Sequence, residues 1–331
     1  MYKPTQTHTN PKHQKYPMKN YFNNSGSELL IKGAGWRSAF WMAMIAVLMG
    51  MQAVETARGA VIYVTNSTTG VIGAYDSTTG SVITADLITG LNSPYGIASD
   101  ARGNLYIGSI ADTGTIGKYA SDGSVINASL ITGVKSIGLA VDGAETLFAP
   151  TYNSPRVGAY SATTGATIDE NLITGLRSGS YGIAHDGLGH LYVATGAVIG
   201  EYNTDGSVVN PNLITLENPS YSIAFSGGKV YVTTFSSNNV FAFDATTGAV
   251  ASDFETITMP APTGIAICDG YLFIASNSTG RVAKYNMDGS LVNASLISGL
   301  SSPVGIVVVP EPSAGRIGSG RGGAKAPSSA D

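Results

Sequence analysis

Between residues 60 and 309 the apolar positions alternate with polar ones or fall in short β-branched runs, and no stretch shows the i, i+3, i+4 spacing of a helix. The runs recur in phase. An apolar–aromatic–apolar doublet appears at Ile62-Tyr63-Val64, Leu105-Tyr106-Ile107, Leu147-Phe148-Ala149, Leu191-Tyr192-Val193, Val230-Tyr231-Val232 and Leu272-Phe273-Ile274, its aromatic residues 43, 42, 44, 39 and 42 positions apart. A second anchor, Leu-Ile-Thr/Ser, begins at Leu87, Leu130, Leu172, Leu213 and Leu296, with Phe254 as its counterpart in the fifth copy. A third, Gly-Ile/Leu, begins at Gly96, Gly138, Gly182, Gly264 and Gly305, with Ser222 replacing the glycine once. Short strands repeating every 40–45 residues predict the blades of a β-propeller.

Each unit reads as four strands: A (Tyr95–Ser99), B (Asn104–Gly108), C (Thr115–Tyr119) and D (Val125–Thr132) in one copy. Turn signals such as Asp100-Ala-Arg-Gly103 and Ser121-Asp-Gly123 separate them. The first unit starts at strand B, and the last leaves over a strand A, Val304–Val309. Pairing that strand into the first blade predicts an all-β, six-bladed propeller of four antiparallel strands per blade, closed by its C-terminal strand. Closure also removes edges that would template aggregation.

Composition changes the picture by region. Apolar residues make up 43% and charged residues 12%, against a usual charged share of about 25%. The 42 glycines show no three-residue period, so they punctuate turns and do not form a collagen helix. Residues 60–309 hold 8 basic and 18 acidic side chains, net −10, which disfavours nucleic acid and other polyanions. The single cysteine, Cys268, excludes an intramolecular disulfide and a cysteine zinc cluster. Residues 1–59 read as a leader. A basic flank (Lys3, Lys12, Lys15, Lys19, Lys32, Arg37) precedes the 13-residue apolar run Ala39–Met51, the layout of a secretory signal, with Met18 as an alternative start. The run is shorter than the roughly 20 residues that span a bilayer, so membrane contact is expected only through this segment before processing.

The phrases SPYGIASDARGNLYIGS (93–109) and STGRVAKYNMDGS (278–290) resemble NHL-type propeller repeats over about 250 residues. Residues 310–331 read as a disordered tail. Val309-Pro310-Glu311-Pro312-Ser313 resembles the start of the PEP-CTERM sorting signal of exopolysaccharide-producing bacteria. That resemblance implies sorting at Pro310, Glu311 and Pro312 and a place in the envelope or extracellular matrix. The chain then continues as AGRIGSGRGGAKAPSSAD without the family's apolar segment, which a frameshift after Ser313 would explain.

Propeller geometry puts the A–B and C–D turns on one face and the B–C and D–A loops on the other, where ligands usually bind. Of the 18 acidic residues, only Asp112 and Glu217 fall to the loop face, a weak basis for a metal site. His185 and His190 sit beside an A–B turn. The loop face instead carries Tyr95, Tyr181 and Tyr221 before strand A, with the amides Asn66, Asn153, Asn238 and Asn277 in B–C loops. Aromatic faces with neutral amides suit a carbohydrate or protein ligand; the alternative is that the tyrosines fill the core and the amides make turns. The sequence predicts a secreted or surface-held binding or scaffold protein without a cofactor. The competing readings are a lactonase-like or lyase-like propeller enzyme and a passive surface-layer component.

Overall fold

A computed structural model describes residues 59–152, 154–177 and 180–310, apart from the side chains of Ser180 and Tyr181. The leader and the residues after Pro310, including Glu311 and Pro312, lie outside the described residues. The strands form six four-stranded antiparallel sheets. The first blade contains β1 (Val61–Asn66), β2 (Val71–Asp76) and β3 (Val82–Ile88), and the last strand of the chain, β24 (Pro303–Val309), is its inner strand. The second holds β4 (Pro94–Ser99), β5 (Leu105–Ser109), β6 (Thr115–Tyr119) and β7 (Val125–Thr132). The third holds β8 (Ala140–Val141), β9 (Thr146–Pro150), β10 (Val157–Ser161) and β11 (Thr167–Ile173). The fourth holds β12 (Ser180–His185), β13 (His190–Thr195), β14 (Val198–Asn203) and β15 (Val208–Thr215). The fifth holds β16 (Ser222–Ser226), β17 (Lys229–Thr234), β18 (Asn239–Asp244) and β19 (Ile257–Thr258). The sixth holds β20 (Pro262–Cys268), β21 (Tyr271–Ser276), β22 (Arg281–Asn286) and β23 (Leu291–Ile297). No helix occurs among the described residues.

Closure follows the predicted phase. Strand β24 pairs antiparallel with β1, Val61 opposite Val309 and Val64 opposite Ile306. The seam is apolar: Ile62, Val64, Ile306 and Val308 pack against Ala266, Cys268 and Phe273 of the sixth blade. The other cores likewise lie between blades, as where Tyr63 and Ile72 meet Ile97, Leu105 and Ile107. Strand B is buried on both faces, which explains its unbroken apolar runs. Removing a side chain such as Ile62 or Leu105 from water contributes about 1.5–3 kcal/mol.

Two devices join successive blades on the turn face. Each C–D turn ends in a glycine set against the outer strand of the preceding blade. A Cβ on Gly165 (φ +75°) would lie 2.0 Å from the Leu130 carbonyl oxygen, and one on Gly80 (φ +72°) 1.8 Å from that of Leu296. A side chain is therefore excluded both by the left-handed backbone and by the neighbour. The fifth blade corrects one expectation. The backbone that abuts Gly289 of the sixth blade is that of Glu255, one residue later than the expected anchor Phe254. Phe254 lies outside any strand, and its ring packs edge-on against Tyr231 at 5.6 Å. Phe254 packs against the core shared by the fifth and sixth blades.

The second device is the strand-B tyrosine. The Tyr63 hydroxyl donates to the Ser121 carbonyl (3.0 Å) and the Tyr106 hydroxyl to the Ala162 carbonyl (2.9 Å), each in the next blade's C–D turn. Where the sixth blade has Phe273, the Lys284 opposite it reaches the Ser77 carbonyl instead (3.3 Å).

The outer strands begin with exposed apolar pairs, including Val125-Ile126, Val208-Val209 and Leu291-Val292. Their edges are interrupted by a tight side-chain turn: the Asn127 Oδ1 accepts the Ser129 N–H (3.0 Å) and the Asn293 Oδ1 the Ser295 N–H (2.9 Å), and the ladder register shifts there. Such bulges keep an apolar edge from pairing with another chain.

Candidate functional site

The loop face is built by hydrogen bonds between B–C loops and the loops that join successive blades. Ser67 N–H donates to the Ser302 carbonyl (3.3 Å), Ile110 N–H to Ser93 (3.3 Å), Tyr152 N–H to Lys135 (2.8 Å) and Asn277 N–H to Ala261 (3.0 Å), each pairing a B–C loop with the loop that leads into its own blade, whereas Ser220 N–H, on the way into the fifth blade, donates to Gly196 in the B–C loop of the fourth (2.9 Å). These contacts fix the loops around the mouth of the central channel. A cavity of about 280 Å³ occupies the channel, walled by inner-strand residues such as Ile97, Leu139, Ile183, Ile223, Ile265 and Ile306. Tyr221 lines it from the loop side and His185 from the turn side. No carboxylate is among its lining residues.

The structure separates the predicted site residues into two kinds. The amides serve the loops. Asn66 is buried, and its Oδ1 accepts the Ser301 N–H (3.1 Å). Asn238 sits at φ +61°, and its Oδ1 accepts the Ala261 N–H (2.8 Å). Asn277 directs its Nδ2 to the Pro303 carbonyl (3.4 Å). Asn153 and the side chain of Tyr181 lie outside the described residues. The aromatic residues hold the surface. Tyr95 is half-buried, and its carbonyl accepts the Thr65 hydroxyl (3.1 Å), joining the first two blades. Tyr221 is half-buried, and its ring faces that of Phe235, centroids 5.9 Å apart and tilted by 33°. Phe235 is 41% exposed and Tyr152 is 40% exposed. Phe235 was missed in the sequence because it stands alone among hydroxyls and amides in Thr234-Phe235-Ser236-Ser237, a composition that reads as an ordinary turn.

Asp112 and Glu217 do not share a site. Asp112 is exposed at φ +49° and accepts a hydrogen bond from the Asn92 side chain (3.2 Å), in a pocket of about 260 Å³ between the first and second blades. Glu217 is exposed in a pocket of about 370 Å³ between the fourth and fifth. Among the described residues no group of three or more His, Cys, Asp or Glu comes together to hold a metal ion.

Several other ionisable groups serve the fold. Burial alone would raise the Asp100 carboxyl, but hydrogen bonds from the Asn104 side chain and N–H, the Tyr106 hydroxyl and the Arg102 N–H hold it below the usual range. Asp186 is held low in the same way, burial being outweighed by the His190 N–H and ring and the Leu188 N–H. His190 thus serves an A–B turn, 2.7 Å from Asp186. Burial, with Asp269 beside it, pushes the Cys268 thiol up to about 11, so it is a poor nucleophile.

No family model and no curated protein sequence matches this chain. Solved structures do resemble it. A chain of a nidogen/laminin complex superposes with a TM-score of 0.63 at 15% identity, covering 76% of this chain and 98% of that one. The computationally designed Ika8 protein gives 0.48 at 13% identity, covering 75% of this chain and 77% of that one. A streptogramin B lyase gives 0.48 at 19% identity, covering 64% and 72%. At such identities the first likeness shows the six-bladed fold alone.

Proposed function

We propose that this chain is a secreted or surface-held, NHL-like propeller that binds rather than transforms its ligand, at the loop face around the channel mouth. The Tyr221–Phe235 pair carries the reading: two aromatic rings set at a tilt beside the channel, one of them well exposed. Apolar rings with neutral hydroxyls and amides around them suit the C–H faces of a neutral carbohydrate. The leader and the Val309–Ser313 motif support export and a place in an exopolysaccharide matrix. The similar chain comes from a nidogen/laminin complex, in keeping with a propeller of this shape that engages a partner.

The test is retention of the full chain on immobilised neutral matrix polysaccharide. Tyr221→Ala and Phe235→Ala should each weaken retention several-fold while leaving the melting temperature within a few degrees. Unchanged retention in both would remove the site. A hydrolase or lyase is the weaker reading, because the channel lining offers no carboxylate to hold a metal or move a proton. It would return if chelation lowered stability and divalent metal restored it.

A further inference from the structure

One blade breaks the repeat on the side of the ring. Two residues before the strand-C aromatic, the other blades have Gly73, Gly117, Gly158, Gly200 and Ala283. The tyrosine ring folds back over the glycines, so that a Cβ on Gly158 would lie 2.5 Å from the Tyr160 hydroxyl oxygen, and Ala283 is the largest side chain that this packing admits in the other blades. The fifth blade has Phe241 there, with Phe243 in place of the tyrosine and the two ring centroids 6.2 Å apart. Its outer strand is also reduced to the two residues of β19 and leaves Val250 66% exposed. These departures coincide in one place, the pocket of about 370 Å³ between the fourth and fifth blades. Phe241, Phe243 and Val250 give it an apolar wall, Asn218 and Asn239 a polar rim, and Glu217 its one ionisable side chain. That volume lies in the range of small-molecule sites, about 300–1,000 Å³. Where a repeat breaks its own pattern at several positions around one cavity, binding is the economical physical reason.

We propose that this pocket binds a protonated amino sugar ring. The Phe241 ring would meet the apolar face of the sugar, the amides would bond its hydroxyls, and the ammonium group would face the Glu217 carboxylate. Aromatic face and carboxylate both favour a cation, and no basic side chain lines the pocket to oppose it. The equivalent pocket between the first and second blades has Asp112 and, in its wall, the buried Tyr119, but only Gly117 at the Phe241 position, so it has one aromatic ring where this pocket has two. The site is separate from the channel mouth, and neither reading depends on the other.

Calorimetric titration of the full chain with D-glucosamine, D-glucose and Nα-acetyl-lysine amide tests the proposal at about pH 6, where an amine is protonated and a carboxylate ionised. Glucosamine should bind about three- to fivefold more tightly than glucose, the scale of one exposed ion pair. Glu217→Gln should erase that difference. Phe241→Ala, which copies Ala283 of the sixth blade, should weaken both sugars, and Asp112→Asn should weaken neither. No saturable glucosamine binding, equal affinity for the two sugars, lysine amide binding as tightly as glucosamine, or an unchanged Glu217→Gln protein would each overturn it. If Phe241→Ala melts early, Glu217→Gln, at an exposed position, carries the test alone.

Discussion

The Tyr106 hydroxyl and the Ala162 carbonyl oxygen lie 2.9 Å apart across a blade boundary, in a contact that is fully buried. The Lys118 ammonium donates to the same oxygen at 3.0 Å, with the Tyr106 ring centroid 5.0 Å away and Asp100 at 3.9 Å. One carbonyl therefore holds two donors from the preceding blade. Tyr106→Phe should cost about 0.5–1.5 kcal/mol, because Lys118 still satisfies the oxygen, and Asn104 and the Arg102 N–H still satisfy Asp100, which the hydroxyl also reaches at 3.1 Å. Adding Lys118→Met leaves the buried carbonyl without either donor, so the double variant should lose more than the sum of the two singles. Urea unfolding midpoints of the four proteins measure this; strict additivity would show that the two donors do not share a common role.

Glycine at the C–D turns makes a separable prediction. Gly165 (φ +75°), in a C–D turn, and Gly175 (φ +71°), in the loop after β11, have nearly the same φ, but a Cβ on Gly175 would meet nothing within 4 Å, whereas one on Gly165 meets the Leu130 carbonyl. Gly175→Ala should cost only the left-handed penalty, about 1–2 kcal/mol. Gly165→Ala should cost clearly more, since two blades must part to admit the methyl group. Equal losses in thermal unfolding would mean that the blades yield and that backbone conformation alone selected the glycine.

The fold was legible because three anchors kept phase, and each has a physical reason seen in the structure: strand B is buried on both faces, strand A lines the channel, and the strand-D leucine meets the next blade's turn glycine. The phase even located the closing strand. It failed by one residue in the fifth blade, where Glu255 meets the turn glycine Gly289 and Phe254 packs against the core from outside any strand, a rearrangement no spacing rule can register. The site was less legible. Residue type does not say whether an asparagine faces a ligand or its own backbone, and Asn66 and Asn238 proved to bond their own loops. Phe235 and Phe241 became visible only when the ring placed Tyr221 beside the first and the neighbouring blade beside the second.

Acid should weaken the ring through its A–B turns. Asp100 and Asp186 are held below their ordinary carboxylate range in the folded chain. A group depressed on folding stabilises the fold above its unfolded pKa, about 3.9, and that contribution is lost as pH falls through the folded value. The melting temperature should therefore owe nothing to these two groups' titration between pH 7 and about 5, and should fall below about 4. Asp100→Asn should lower stability at neutral pH and flatten the acid limb, because the amide oxygen still accepts backbone N–H groups but no longer titrates. An unchanged acid limb would assign the loss to other carboxylates.

Cys268 offers a direct probe of the closing seam. It ends β20 and packs with Ile306 and Val308 of the strand that closes the ring. With its thiol pushed up to about 11 by burial and Asp269, the thiolate at pH 8 is about a thousandth of the population, against about a quarter for an ordinary thiol. Labelling by iodoacetamide in the native chain should therefore be at least a hundredfold slower than in denaturant. Val308→Ala removes packing at the seam and should speed labelling by favouring local opening, even where the global melting temperature moves little. Removal of Pro303–Val309 strips the inner strand from the first blade and should bring labelling close to the denatured rate. Slow labelling after that deletion would show that the ring holds its sixth blade without the closing strand, and that β24 seals an edge without holding the propeller shut.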